Sequence, residues 1–113
     1  MVNAFDASAR IEGPTTVIDL IGLLDRTAET RLNEVFGAAL DGRGGPIVFN
    51  FGGVEYINST GIALVVGVLA RARTTGRPVR AYGLTDHYRE IFTITRLSEF
   101  MGIFDNESAA VAG

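Results

Sequence analysis

Residues 56–65, Tyr-Ile-Asn-Ser-Thr-Gly-Ile-Ala-Leu-Val, switch from one backbone habit to another within three positions. An apolar extended stretch meets Asn58-Ser59-Thr60, and an apolar stretch suited to a helix follows. Side-chain oxygens of Asn, Ser and Thr accept hydrogen bonds from N–H groups that the first turn of a helix leaves unpaired. The triplet therefore predicts a strand-to-helix junction with Ser59 or Thr60 at the helix start, near the surface. A phosphoryl group placed there would meet exposed amides and the positive end of the helix dipole.

The rest of the chain alternates in the same way. Gly13-Pro14 separates two extended stretches, residues 4–11 and 15–21, and the second is rich in β-branched residues. A helix is expected over 25–40, where Leu32, Val35, Phe36, Ala39 and Leu40 recur at three- and four-residue spacings. The glycine-rich turn at 42–46 leads into a short apolar strand, 47–51, central in its sheet. The helix opened by Asn58-Ser59-Thr60 runs to about residue 75, and its almost wholly apolar first part should be buried nearly all round. A strand over 78–82 follows, then a third helix capped by Thr85 or Asp86, with Tyr88, Ile91, Phe92 and Ile94 as apolar positions. Ile103-Phe104 is expected as an edge strand before a frayed segment from Glu107. Strands alternating with helices after an initial hairpin imply an α/β fold with a mixed sheet.

Composition narrows the function classes. The 113 residues amount to one domain spanning 1–113, and a net charge of −3 leaves no electrostatic footprint for nucleic acid or an anionic membrane. Every basic residue other than His87 is arginine, so lysine chemistry is excluded; with no cysteine there is no thiol nucleophile, disulfide or thiolate metal site. The first ten residues lack a signal-like apolar stretch, and the apolar run 61–70 is about half a membrane span. A cytoplasmic location is the expectation.

Each candidate site has a plainer reading beside it. Ser59 is either a helix cap worth about 1 kcal/mol or a modification site, with Asn58 as the competing cap that would free its hydroxyl. Thr60 shares that ambiguity. The glycines of 42–46 precede a strand and lack a lysine, so a turn is the better reading than a phosphate loop. His87 fits a surface position on the third helix. Asp25, Asp86 and Glu90 are the carboxylates available for a pair, but Asp25 and Asp86 are more simply helix-start residues. Arg71, Arg73, Arg77 and Arg80 read as a solvated helix end. Neither a nucleophile–base pair nor a metal cluster emerges, so no enzyme, metal or cofactor is expected.

Taken together, these residues resemble the bacterial anti-sigma-factor antagonists, single-domain members of the STAS group. The segment 54–61 is similar to the family's phosphorylation segment, which usually ends Asp-Ser-Ser/Thr-Gly. Gly22-Leu23-Leu24-Asp25 with Thr27-Ala28-Glu29-Thr30 resembles its Gly-x-Leu-Asp and first-helix opening, and Arg89, Ile91, Phe92, Leu97 and Ile103 resemble its third helix and last strand. The resemblance implies a single STAS-type domain with a mixed four- to five-stranded sheet and helices mainly on one face. It also implies binding to a serine-kinase anti-sigma factor, phosphorylation at Ser59 (Thr60 as second choice) and resetting by a phosphatase. Asp25, Asn58, Ser59, Thr60 and Gly61 would form the partner-binding site. Asn58 stands where the family usually has aspartate, keeping a hydrogen-bonding side chain but removing a charge. Leu23 stands where an acidic residue is common. Two other readings are a STAS scaffold subunit of a larger signalling or transport assembly, and a small-ligand or lipid-transport accessory domain. An apolar pocket beside the second helix would mark the latter.

Overall fold

Alternation of side chains along the strands gives the sheet two covered faces of unequal size. The computed structural model describes residues 4–42 and 44–113; residues 1–3, part of the first ten read for a signal, and 43, part of the 42–46 turn, lie outside the described residues. The elements are β1 (Asp6–Glu12), β2 (Thr15–Leu24), a 3-10 turn (Arg26–Ala28), α1 (Glu29–Asp41), β3 (Ile47–Ile57), α2 (Ser59–Thr74), β4 (Val79–Tyr82), α3 (Asp86–Ile94), a second 3-10 turn (Leu97–Glu99), β5 (Gly102–Phe104) and α4 (Glu107–Ala112). The five strands lie side by side in the order β1-β2-β3-β4-β5. β1 is antiparallel to β2 across a tight turn with Gly13 at φ +62°, and every later pairing is parallel. This is the mixed α/β sheet that the strand–helix alternation predicts, with a strand number inside the four to five that the family resemblance implies.

The larger core lies between one sheet face and α1, α2 and α3. Ile18, Leu20, Phe49 and Ala81 from the strands meet Leu32 and Phe36 of α1, Val65, Val68 and Leu69 of α2, and Phe92 of α3. A file of aromatic rings runs through it: Phe36 stacks on Phe49 at 5.8 Å, Phe49 adjoins Phe51, and Phe51 meets Phe92 edge-on at 5.7 Å. Such offset and edge contacts add to the area that the rings bury.

On the opposite face, Val17 and Val48 are sealed by Ala110 of α4, with Tyr82, Phe104 and Val111 around them. The segment expected to fray is therefore a packed helix. Asn106 caps it by accepting from the Ala109 N–H at 2.9 Å, and the small Ala110 lets it lie close on two valines. Six residues are too few for a helical period to stand out in the sequence.

Three further expectations change. β3 continues past residue 51 to Ile57 because Gly52-Gly53 does not end the strand; a Cβ on Gly53 would lie 2.6 Å from Ile21 Cγ2, so glycine there allows β2 to come close. The apolar start of α2 is not buried all round, since Ala63, Val66, Gly67 and Ala70 face outward. The sheet and its neighbouring helices cover one side of α2, and these mostly small residues expose little area each. The arginines do not form one solvated cluster: Arg71 sits over Phe36 at 5.2 Å. Arg77 donates from Nε to Gly45 O at 2.5 Å and from Nη1 to Ala39 O at 3.2 Å, at the end of α1. Arg80 donates to Ala110 O at 3.2 Å at the end of α4. Cations there complement the carbonyl ends of both helices.

Candidate functional site

The ends of β2 and β3 lie together, Leu24 opposite Ile57, and the chain turns from β3 into α2 beside them. The Asn58 N–H donates to Leu24 O at 3.3 Å, tying the junction to β2. Asn58 is the cap: its backbone is extended, and its Oδ1 accepts from the Gly61 N–H at 2.9 Å. With the capping role taken, Ser59 is the first helical residue, and both Ser59 and Thr60 are exposed. Helix geometry gives the N–H groups of Ser59 and Thr60 no intrahelical acceptor, and they lie at the positive end of the dipole.

Gly61 is buried under this turn. A Cβ built on it would lie 1.9 Å from Leu24 O and 3.0 Å from Ile57 Cγ2. The absence of a side chain is what lets the first turn of α2 sit against the end of β2. From α3, Tyr88 reaches across to accept the Ile57 N–H at 3.0 Å, fixing the last residue of β3. Tyr56, half-exposed at 53 %, flanks the junction.

Asp25 follows Leu24 directly and so enters the same corner. Its Oδ1 accepts from Thr27 Oγ1 at 2.5 Å and from the Thr27 N–H at 2.9 Å. The Thr27 hydroxyl first, then its amide, hold the carboxyl below the usual carboxylate range. Asp25 is thus a standing negative charge and the cap of the 3-10 turn.

The five residues Asp25, Asn58, Ser59, Thr60 and Gly61 meet at this one corner of the sheet. Asp86 lies instead in the first turn of α3, which Thr85 caps by accepting from the Tyr88 N–H. His87 is exposed, its ring edge against Tyr88 at 4.9 Å. Among the described residues no group of three or more His, Cys, Asp or Glu could hold a metal ion, and no helix is long and apolar enough to cross a membrane.

Sequence reasoning did not find the anchoring by Tyr88, which reads as an ordinary apolar position of α3. Nor did it find the outward apolar stripe of α2, running from Ala63 through Val66 and Gly67 to Ala70. A three- and four-residue spacing of small residues within that helix was the available signal. An apolar cleft does lie beside α2, at the end away from Ser59, between Val66 and Phe100.

Comparison with known proteins agrees with this architecture. Residues 7–103 match the family model described as "Mlab, STAS domain". No curated protein matches the sequence. Among solved structures, an anti-sigma factor antagonist from Mycobacterium paratuberculosis is similar at a TM-score of 0.77 and 19 % identity, over 96 % of this chain and 92 % of that one. The phosphorylated form of the Bacillus cell fate determinant SpoIIAA is similar at 0.71 and 22 %, over 96 % and 97 %. RsbS from Moorella thermoacetica is similar at 0.76 and 14 %, over 94 % and 92 %. At these identities the likeness is one of fold.

Proposed function

The chain belongs to the STAS-domain family, and from that premise we propose that it is an anti-sigma-factor antagonist switched by phosphorylation of Ser59. The observation that carries this reading is the exposed Ser59 hydroxyl at the head of α2, left free because Asn58 takes the cap. The partner is a serine-kinase anti-sigma factor, held at the corner formed by Asp25 and residues 58–61 and along the outward apolar stripe of α2. Solved fold relatives named as anti-sigma factor antagonists support it, SpoIIAA among them, which is also solved in a phosphorylated form.

In the switching step the γ-phosphoryl group of ATP passes to Ser59 Oγ. The new O–P bond forms as the bond to ADP breaks, and the hydroxyl proton goes to a base on the kinase. The product carries about −1.5 to −2 charges. The amides and dipole of α2 accommodate that charge in the free protein. A partner surface closed over Ser59 does not, because it would have to desolvate a dianion. Loss of about 2.8 kcal/mol weakens binding a hundredfold. A phosphatase removing the group restores the binding form.

Two measurements test the proposal. Incubation with ATP and the cognate serine-kinase anti-sigma factor should place one phosphate on Ser59, read by mass spectrometry of the tryptic peptide. Ser59→Ala should bind that partner and resist phosphorylation, whereas Ser59→Asp should bind at least tenfold more weakly. Absence of phosphate on Ser59, or wild-type binding by Ser59→Asp, would refute the switch.

A further inference from the structure

At the far end of α2 from Ser59 the surface opens into a cleft of about 630 Å³. Val66, Ala70 and Arg73 of α2 form one wall, Leu97 and Phe100 face them from the segment after α3, and Arg77 lines it at the approach to β4. The volume falls within the roughly 300–1,000 Å³ usual for small-ligand sites, as does the combination of apolar walls and a few polar groups.

The charge of the lining is one-sided. Arg73 and Arg77 contribute two guanidinium groups, and no Asp or Glu is among the lining residues described. Arg73 holds its guanidinium carbon 5.5 Å from the centre of the Phe100 ring, so the two side chains meet across the mouth. Arg77 spends Nε and Nη1 on backbone carbonyls, while its Nη2 is buried with no partner among the described residues. Two guanidinium groups with no carboxylate beside them give the lining a positive potential, which favours an anionic occupant. A cationic occupant would be repelled. A purely neutral one would gain nothing from that charge.

We propose that this cleft binds a small carboxylate with an apolar body, of the medium-chain fatty-acid kind. The apolar part lies against Val66, Leu97 and Phe100, and the carboxylate meets Arg73 at the mouth, with the Arg77 guanidinium adding positive charge behind it. The site is separate from Ser59, and although Val66 and Ala70 also belong to the stripe given to the partner, ligand binding to the free protein does not depend on the phosphorylation reading.

The test uses three probes sharing one chain length, all below their micelle-forming range: decanoate, 1-decanol and decyltrimethylammonium. Isothermal titration calorimetry should show decanoate binding at least tenfold more tightly than either of the others, with amide shifts in the 1H–15N spectrum gathered at residues 66–73 and 95–100. Arg73→Gln should abolish that preference, and Ala70→Trp, which plugs the cleft from an exposed helix position, should remove binding of all three. Circular dichroism checks that both variants fold. The proposal fails if decanoate does not bind, if it binds no better than decyltrimethylammonium, or if Ala70→Trp leaves its affinity unchanged.

Discussion

A methyl group at position 61 would sit 1.9 Å from the carbonyl oxygen of Leu24, and a strand backbone cannot swing aside as a side chain can. Gly61→Ala is therefore expected to cost about 1–3 kcal/mol, read as a lowered urea midpoint, and to displace the turn that presents Ser59. A second position carries strain of a different origin. Arg96, just past the end of α3, has φ +65°, a left-handed conformation that glycine adopts more easily. Its contact with Glu99, at 3.8 Å between two exposed side chains, contributes little. Arg96→Gly is expected to raise stability by about 0.5–1 kcal/mol, measurable as a shift of the denaturation midpoint. That residues 58–60 hold the cap was legible in the sequence because capping acts within three residues, whereas the choice of Asn58 over Ser59 was settled only by the fold. The role of Gly61 was not, because it is set by Leu24, a residue remote in the chain.

Among the elements, α4 owes its place to a polar cluster as much as to Ala110. Arg10 of β1 binds Asp19 through Nε at 2.8 Å and reaches Glu107 at the head of α4, with one contact from Nη1 at 3.1 Å and another from Nη2. Tyr82 donates to Glu107 Oε1 at 2.6 Å, and Asn50 donates to Asp19 at 2.8 Å. Hydrogen bonds from Arg10 and then Tyr82 hold the Glu107 carboxyl down to about 2, against an ordinary value of 4.5. Burial, followed by the bond to Glu107, pushes the Tyr82 phenol up to about 12. Because the folded-state value for Glu107 is depressed, its contribution is complete above about pH 5 and fades as pH falls from 4.5 towards 2. With both partners 36 % exposed, water screens the pair, so Glu107→Gln is expected to cost only about 1 kcal/mol at pH 7. Urea titrations of both proteins across pH 7 to pH 2 should show that difference closing. Nothing local in the sequence joins Arg10 to Glu107, which lie at opposite ends of the chain; the fold alone makes them neighbours.

At the scale of the whole molecule, the alternation of strands and helices was readable because period-2 and period-3.6 patterns repeat along the chain. Which helix covers which face was less so. The outward side of α2 is apolar like its inner side, and only the position of its neighbours distinguishes the two. The cleft was beyond reach of the sequence because three separated segments build it. The sheet itself has a simpler property, in that its strands stand in space in the order in which they occur in the chain. During synthesis each new strand finds its partner already made, so the sheet can grow outward from the first hairpin without waiting for a late segment to insert. Only the closing helix, which reaches back through Glu107 to Arg10 of the first strand, has to wait until all five strands are made.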